Sequence, residues 1–122
     1  MSRPRIMAWF WSLMVLGLHS IPRARLLELP GGEKFISTTG SDKAAHVVLF
    51  GVFAFLWSRC FGNRLLMVVA AGLVYGGALE IYQEWLIPGR SGSMADLAAD
   101  ALGLVIGAGG FAWWGRRKAG GR

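Results

Sequence analysis

The sequence predicts an all-α membrane protein, with four transmembrane helices in an antiparallel bundle and short second and third loops. Three observations predict it. First, 54% of the 122 residues are hydrophobic with glycine left out of the count, and 16% are charged. Soluble domains carry about 45–50% apolar residues with glycine included, and about 25% charged residues. Second, this apolar surplus sits in a short chain, whose high ratio of surface to volume leaves little interior to hold it; lipid is the simpler place. Third, the apolar residues form continuous runs, without the polar residue at every second position that a membrane β-barrel shows. The length points to a single domain over residues 1–122.

The elements follow in order. A basic start with Arg3 and Arg5 leads into the apolar run 6–21. It is short against the about 17–25 residues of a usual span. Its basic start resembles a signal peptide, but Pro22-Arg23-Ala24-Arg25 offers no small-x-small cleavage site, so it is assigned as the first span. A polar connection follows, in which Arg23 to Leu29 has room for one or two interfacial turns before Pro30-Gly31-Gly32 stops them. Ser41 or Asp42 is a suitable N-cap for the second span, 44–61. The turn Gly62-Asn63-Arg64 is very short, which makes the second span and the third, 65–87, expected neighbours. The turn from Pro88 to Ser93 leads to the fourth span, 97–114, and then to the basic tail Arg116-Arg117-Lys118.

Charge orients the chain. With four spans, one side collects Arg3, Arg5, Arg59, Arg64, Arg116, Arg117, Lys118 and Arg122, eight in all. The other side has Arg23, Arg25, Lys34, Lys43 and Arg90, five in all. The positive-inside rule then places both termini in the cytoplasm. The formal net charge of +6 is read as topology and anionic-lipid contact, and no nucleic-acid motif is present. The single cysteine, Cys60, excludes an internal disulfide and a cysteine-based metal site.

Against this apolar background a few polar residues stand out. Acids within a span cost about 2.5–3.5 kcal/mol each near the bilayer centre, so they need a partner or a task. Asp42, Lys43 and His46 open the second span, Glu80, Gln83 and Glu84 close the third, and Asp96 and Asp100 open the fourth, with Arg90 in the loop between. All fall toward the outer side. At about 1.5 Å per residue, Glu80 lies roughly 12 Å below the Pro88 turn. Glu80 and Gln83 share a helix face that continues through Gly76 and Gly72; Asp96, Asp100, Gly103 and Gly107 form a 4-3-4 stripe. Glycines on those faces let helix backbones approach closely. The acid faces of the third and fourth spans are therefore expected to meet each other and the second span, forming a polar pocket open to the outer surface. Plainer roles compete: Asp42 as a helix cap, Asp96 in a capping box with Ser93, Lys43 snorkelling to phosphates, and His19 at the interface rather than in a site.

Asp42-Lys43-x-x-His46, Glu80-x-x-Gln83, Pro88-Gly89-Arg90 and Asp96-x-x-x-Asp100-x-x-Gly103-x-x-x-Gly107, in this order and spacing, resemble the VanZ-like family of small bacterial membrane proteins, named for a teicoplanin-resistance protein. The resemblance covers about Pro22 to Trp114 and departs at Asp100, where the family usually has Asn. It implies a four-helix protein of the bacterial inner membrane and cell envelope, with antibiotic resistance as the founding member's phenotype, and it implies no reaction.

Three functions remain open. In the first, the pocket binds a lipid headgroup or a lipid-linked cell-wall precursor through Asp42, Lys43, His46, Glu80, Gln83, Arg90, Asp96 and Asp100, with Arg90 and Lys43 meeting phosphate or carboxylate. In the second, the protein is a membrane-embedded hydrolase or transferase acting on a lipid-linked phosphate. Glu80 is then a general base, His46 a proton shuttle, and Asp96 with Asp100 a candidate holder of a divalent metal. No known catalytic motif accompanies them. In the third, the polar network fixes a structural scaffold. No cofactor is expected and no metal ligand is assigned; membrane lipids are the expected partners, and nucleic acid is not.

Overall fold

The computed structural model describes residues 2–31, 41–62, 64–87 and 94–120, and among them there are helices and no strand. The described residues form five helices: α1 (Arg3–His19), α2 (Arg23–Glu28), α3 (Ser41–Phe61), α4 (Leu65–Leu86) and α5 (Met94–Gly120). Three stretches are long and apolar enough to cross a membrane: Lys43–Phe61 in α3, Leu65–Leu86 in α4 and Met94–Lys118 in α5. The 17 residues of α1 rise about 25 Å, against a hydrocarbon core of about 30 Å.

The helix ends have local causes. Pro4 sits at the start of α1, where its missing N–H costs nothing. α3 stops at Gly62, whose φ of +62° is in the left-handed region and whose N–H reaches the Ser58 carbonyl at 2.8 Å, the usual glycine termination. Two helices outrun the expected spans. α3 begins at Ser41, so Ser41 and Asp42 stand within the helix and not ahead of it. α5 starts at Met94 and continues through the basic tail to Gly120. Apolar composition marks the part of a helix suited to lipid, whereas the hydrogen-bond ladder runs on through good helix formers such as Arg and Lys. In that tail Arg117 and Lys118 lie over the rings of Trp113 and Trp114, at 5.3 and 4.3 Å.

Each long helix buries one stripe. On α1 it is Ala8, Ser12, Val15 and His19; on α4 it is Val68, Gly72, Gly76, Leu79, Glu80 and Gln83. Outside the stripes the helices expose Leu13, Leu66, Val74, Trp85 and Val105, apolar side chains that suit lipid far better than water. The apolar core joins Val15, Phe50, Phe53, Ala54, Val68, Leu79, Leu104 and Ala108.

The most extensive helix pair is α3 with α5, although the short turn predicts α3 with α4, which also touch. Glycine decides this. A methyl group at Gly103 would strike the Val47 carbonyl, and one at Gly107 the Gly51 carbonyl, so the two backbones are in direct contact. Lys43, His46, Gly51 and Ala54 meet Asp96, Asp100, Gly103 and Gly107 in ascending order on both helices. On α4 the order reverses: Gly72 faces Leu104 and Gly76 faces Asp100. α1 also runs against α3, from Trp9 beside Trp57 to His19 beside His46.

α1 is tied to α3 and α4 by polar groups as well as by packing. The Trp11 indole donates to the Leu49 carbonyl at 2.8 Å, and the Trp57 indole to Ser12 Oγ at 2.9 Å. The Tyr75 hydroxyl donates to the Ser12 carbonyl at 2.5 Å. At the far end of α1 the Ser20 hydroxyl meets the Tyr82 hydroxyl at 2.9 Å.

Candidate functional site

The contact order carries the start of α3, the end of α4, the start of α5 and the end of α1 to one end of the molecule. There His19, His46, Glu80, Gln83, Asp96 and Asp100 are all buried. A buried charge or amide in an apolar bundle has to be matched by partners, and most of these matches join two helices.

Asp100 is fully buried. Its Oδ1 lies 2.6 Å from Nδ1 of His46. A carboxylate accepts, so the imidazole donates from Nδ1 and keeps its lone pair on Nε2. Oδ2 of Asp100 lies where a methyl group on Gly76 would come within 2.8 Å of it. An ion pair joins the same two helices one turn further out, with Lys43 Nζ 2.6 Å from Asp96 Oδ1. Asp96 sits in the first turn of α5, at its third helical position, opposite Lys43.

His19 is the residue that sequence reasoning placed wrongly. The interface was expected; the structure leaves it only 3% exposed, with its ring edge-on to His46 at a centroid distance of 5.1 Å. Its Nδ1 lies 2.8 Å from the Val15 carbonyl. A carbonyl oxygen only accepts, so Nδ1 carries the proton and the lone pair again falls on Nε2. The 4-3-4 spacing Ala8, Ser12, Val15, His19 is the signal that could have found it, being the same small-and-polar stripe that marks α5.

Glu80 is 7% exposed, on a different side of α4 from exposed Ile81 and Trp85. One ligand-capable atom from each of His19, His46 and Glu80 lies within 4.8 Å of the others, a group able to hold a metal ion. Among the described residues it is the group of three such ligands with that geometry. Gln83, on the same face as Glu80, donates from Nε2 to the His19 carbonyl at 3.2 Å and so ties α4 to the end of α1.

Of the remaining expected site residues, Arg90 lies outside the described residues, and so does the side chain of Asp42. Gly72, Gly76, Gly103 and Gly107 all lie at helix contacts. A separate apolar cleft of about 640 Å³ opens between α1, α3 and α4, lined among others by Trp9, Leu13, Leu16, Trp57, Met67 and Tyr75. Leu16 in its lining is one turn from His19 on α1.

Helices fit for lipid, carrying a buried polar cluster at one end, define a helical membrane-type protein. Residues 6–115 match the family model described as VanZ/LLP1, and the chain belongs to that family. No curated protein and no solved structure matches it.

Proposed function

We propose that the chain is a multi-pass protein of the bacterial cytoplasmic membrane whose polar cluster binds the headgroup of an envelope amphiphile, a membrane lipid or a lipid-linked cell-wall precursor. The observation that carries this reading is the junction of cluster and cleft. Leu16, which lines the apolar cleft, is one helical turn along α1 from His19, which is buried with His46, Glu80 and Asp100. An amphiphile needs that pairing, with a polar site for its head and an apolar channel for its chain. Arg90, which falls between Glu84 and Asp96 in the sequence, is the residue suited to a phosphate, because Lys43 is already held by Asp96. An influence on glycopeptide susceptibility follows if the bound amphiphile is a cell-wall precursor.

In this reading α1 is the fourth span. It lies along α3 from Trp57 to His46, the stretch of α3 that itself crosses the membrane. The four spans alternate in direction, the polar end faces outward, and both termini are cytoplasmic. A fluorescent reporter that folds only in the cytoplasm should be bright when fused after Arg122; a dark fusion at normal expression would reverse the topology.

A second reading, a membrane-embedded hydrolase or transferase acting on a lipid-linked phosphate, is favoured by one contact. The carboxylate of Asp100 holds His46 by Nδ1, the arrangement that readies an imidazole Nε2 to take a proton. Native mass spectrometry of the protein released from mild detergent tests the first reading, with Glu80→Gln beside wild type. The expected result is a co-purified amphiphile on the wild type and at least tenfold less on the variant. Bare protein in both samples would leave the cluster as a packing device.

A further inference from the structure

The geometry points to a divalent transition-metal site formed by His19, His46 and Glu80, with Asp100 as the residue that orients His46. It rests on the cluster described above but not on the nature of its amphiphile.

The ligand set comes from three helices that the sequence keeps far apart. His19 ends α1, His46 lies in the second turn of α3, and Glu80 is in the last two turns of α4. Their ligand-capable atoms lie within 4.8 Å of one another, and all three residues are buried. Around zinc, with metal–nitrogen distances of about 2.0–2.1 Å, tetrahedral ligand atoms stand about 3.3 Å apart. Small side-chain rotations close that difference without moving a helix.

Tautomer chemistry supplies the stronger argument. Each imidazole is held by a hydrogen bond from Nδ1, His19 to the Val15 carbonyl and His46 to the Asp100 carboxylate. Both rings therefore keep their lone pair on Nε2, the form in which imidazole binds a metal. The Asp100–His46 contact has the form of the carboxylate–histidine pair that fixes ring orientation and raises ligand basicity in metal proteins. The two rings meet edge-on at 5.1 Å, so they are not stacked face to face and their nitrogens can turn toward a common point.

Charge balance agrees. The cluster holds the carboxylates of Glu80, Asp96 and Asp100, of which Asp96 is matched by Lys43. Three acids gathered in an apolar bundle are poorly suited to receive a phosphate directly. A dication between His19, His46 and Glu80 would offset them and present a positive centre to an anionic headgroup. Two imidazoles and one carboxylate are donors that suit zinc, cobalt or iron(II) more than magnesium or calcium, which prefer oxygen alone. Three protein ligands leave a coordination position open to water or to a headgroup oxygen.

The test uses the full chain in detergent, stripped with a chelator and then titrated with zinc or cobalt(II) alone. The expected result is one metal per chain by elemental mass spectrometry, and with cobalt a visible absorption band of the kind given by four- or five-coordinate nitrogen–oxygen sites. His19→Ala and Glu80→Gln should each weaken binding at least 100-fold. His19→Cys, which supplies another ligand, should restore zinc. Asp100→Ala should weaken binding about 10–100-fold, as loss of an orienting partner does. Absence of uptake by helical, monodisperse wild-type protein would overturn the site, whether or not the variants fold. So would undiminished uptake by His19→Ala or Glu80→Gln. The two proposals separate cleanly: metal uptake by amphiphile-free protein that retains no amphiphile in native mass spectra leaves the metal site and removes the headgroup reading. Amphiphile retained by wild-type protein that takes up no metal does the reverse.

Discussion

Gly107→Ala should lower the stability of the folded bundle by about 3 kcal/mol, near the top of the range for overpacked sites. The reason lies in what the new methyl group would meet. At Gly107 it is the Gly51 carbonyl oxygen and carbon, and at Gly103 the Val47 carbonyl, both of them backbone. Backbone cannot rotate aside as a side chain can, so α3 and α5 would have to part, and with them the most extensive contact in the molecule. Gly72→Ala meets the tip of the Leu104 side chain, which can turn, and should cost less. Gly109→Ala meets nothing within 4 Å and should be neutral or stabilising by up to about 1 kcal/mol, because alanine is the better helix former. Unfolding of the three variants in detergent, followed by circular dichroism, gives the ranking. Equal stability of Gly107→Ala and Gly109→Ala would refute the backbone contact.

Asp100→Ala should cost about 3–5 kcal/mol, the penalty for removing one partner of a buried pair and leaving the other unmatched. The side chain is fully buried, and its Oδ1 is 2.6 Å from His46 Nδ1. Asp100→Asn is the informative contrast. Its amide oxygen can still accept from His46, so the loss should be about 1 kcal/mol, the net worth of an ordinary hydrogen bond. That expectation also explains how Asn, the residue the family resemblance suggests here, can occupy the position. The same unfolding assay decides it: if Ala and Asn destabilise equally, the hydrogen bond to His46 contributes nothing and the aspartate is held by other means.

The candidate site was partly legible in the chain. Glu80, Gln83, Asp96 and Asp100 announce themselves because a carboxylate or amide within an apolar run is costly, and a costly residue needs a reason. Their faces were legible too: the 4-3-4 spacing of Asp96, Asp100, Gly103 and Gly107 puts them on one stripe, and all four are buried at the helix contacts. His19 was missed because histidine near the end of an apolar run is equally suited to the interface. Only the stripe shared with Ala8, Ser12 and Val15 separates the two cases.

Much of this protein is therefore determined by sequence alone: the helical class, the three long apolar helices after residue 40, and the acid-bearing faces of α4 and α5. These are local properties, set by periodicity over a few turns and by the cost of burying charge. The pairings were decided only in three dimensions. That Asp100 meets His46 across 54 positions of chain, that Lys43 takes Asp96, and that His19 joins Glu80 and His46 depend on the register between helices. Register is set where the backbones of α3 and α5 touch at Gly51, Gly103 and Gly107. A shift of one turn there would move a partner about 5.4 Å along the axis, well beyond hydrogen-bond reach, which is why no local feature of the chain could announce which acid belongs to which base.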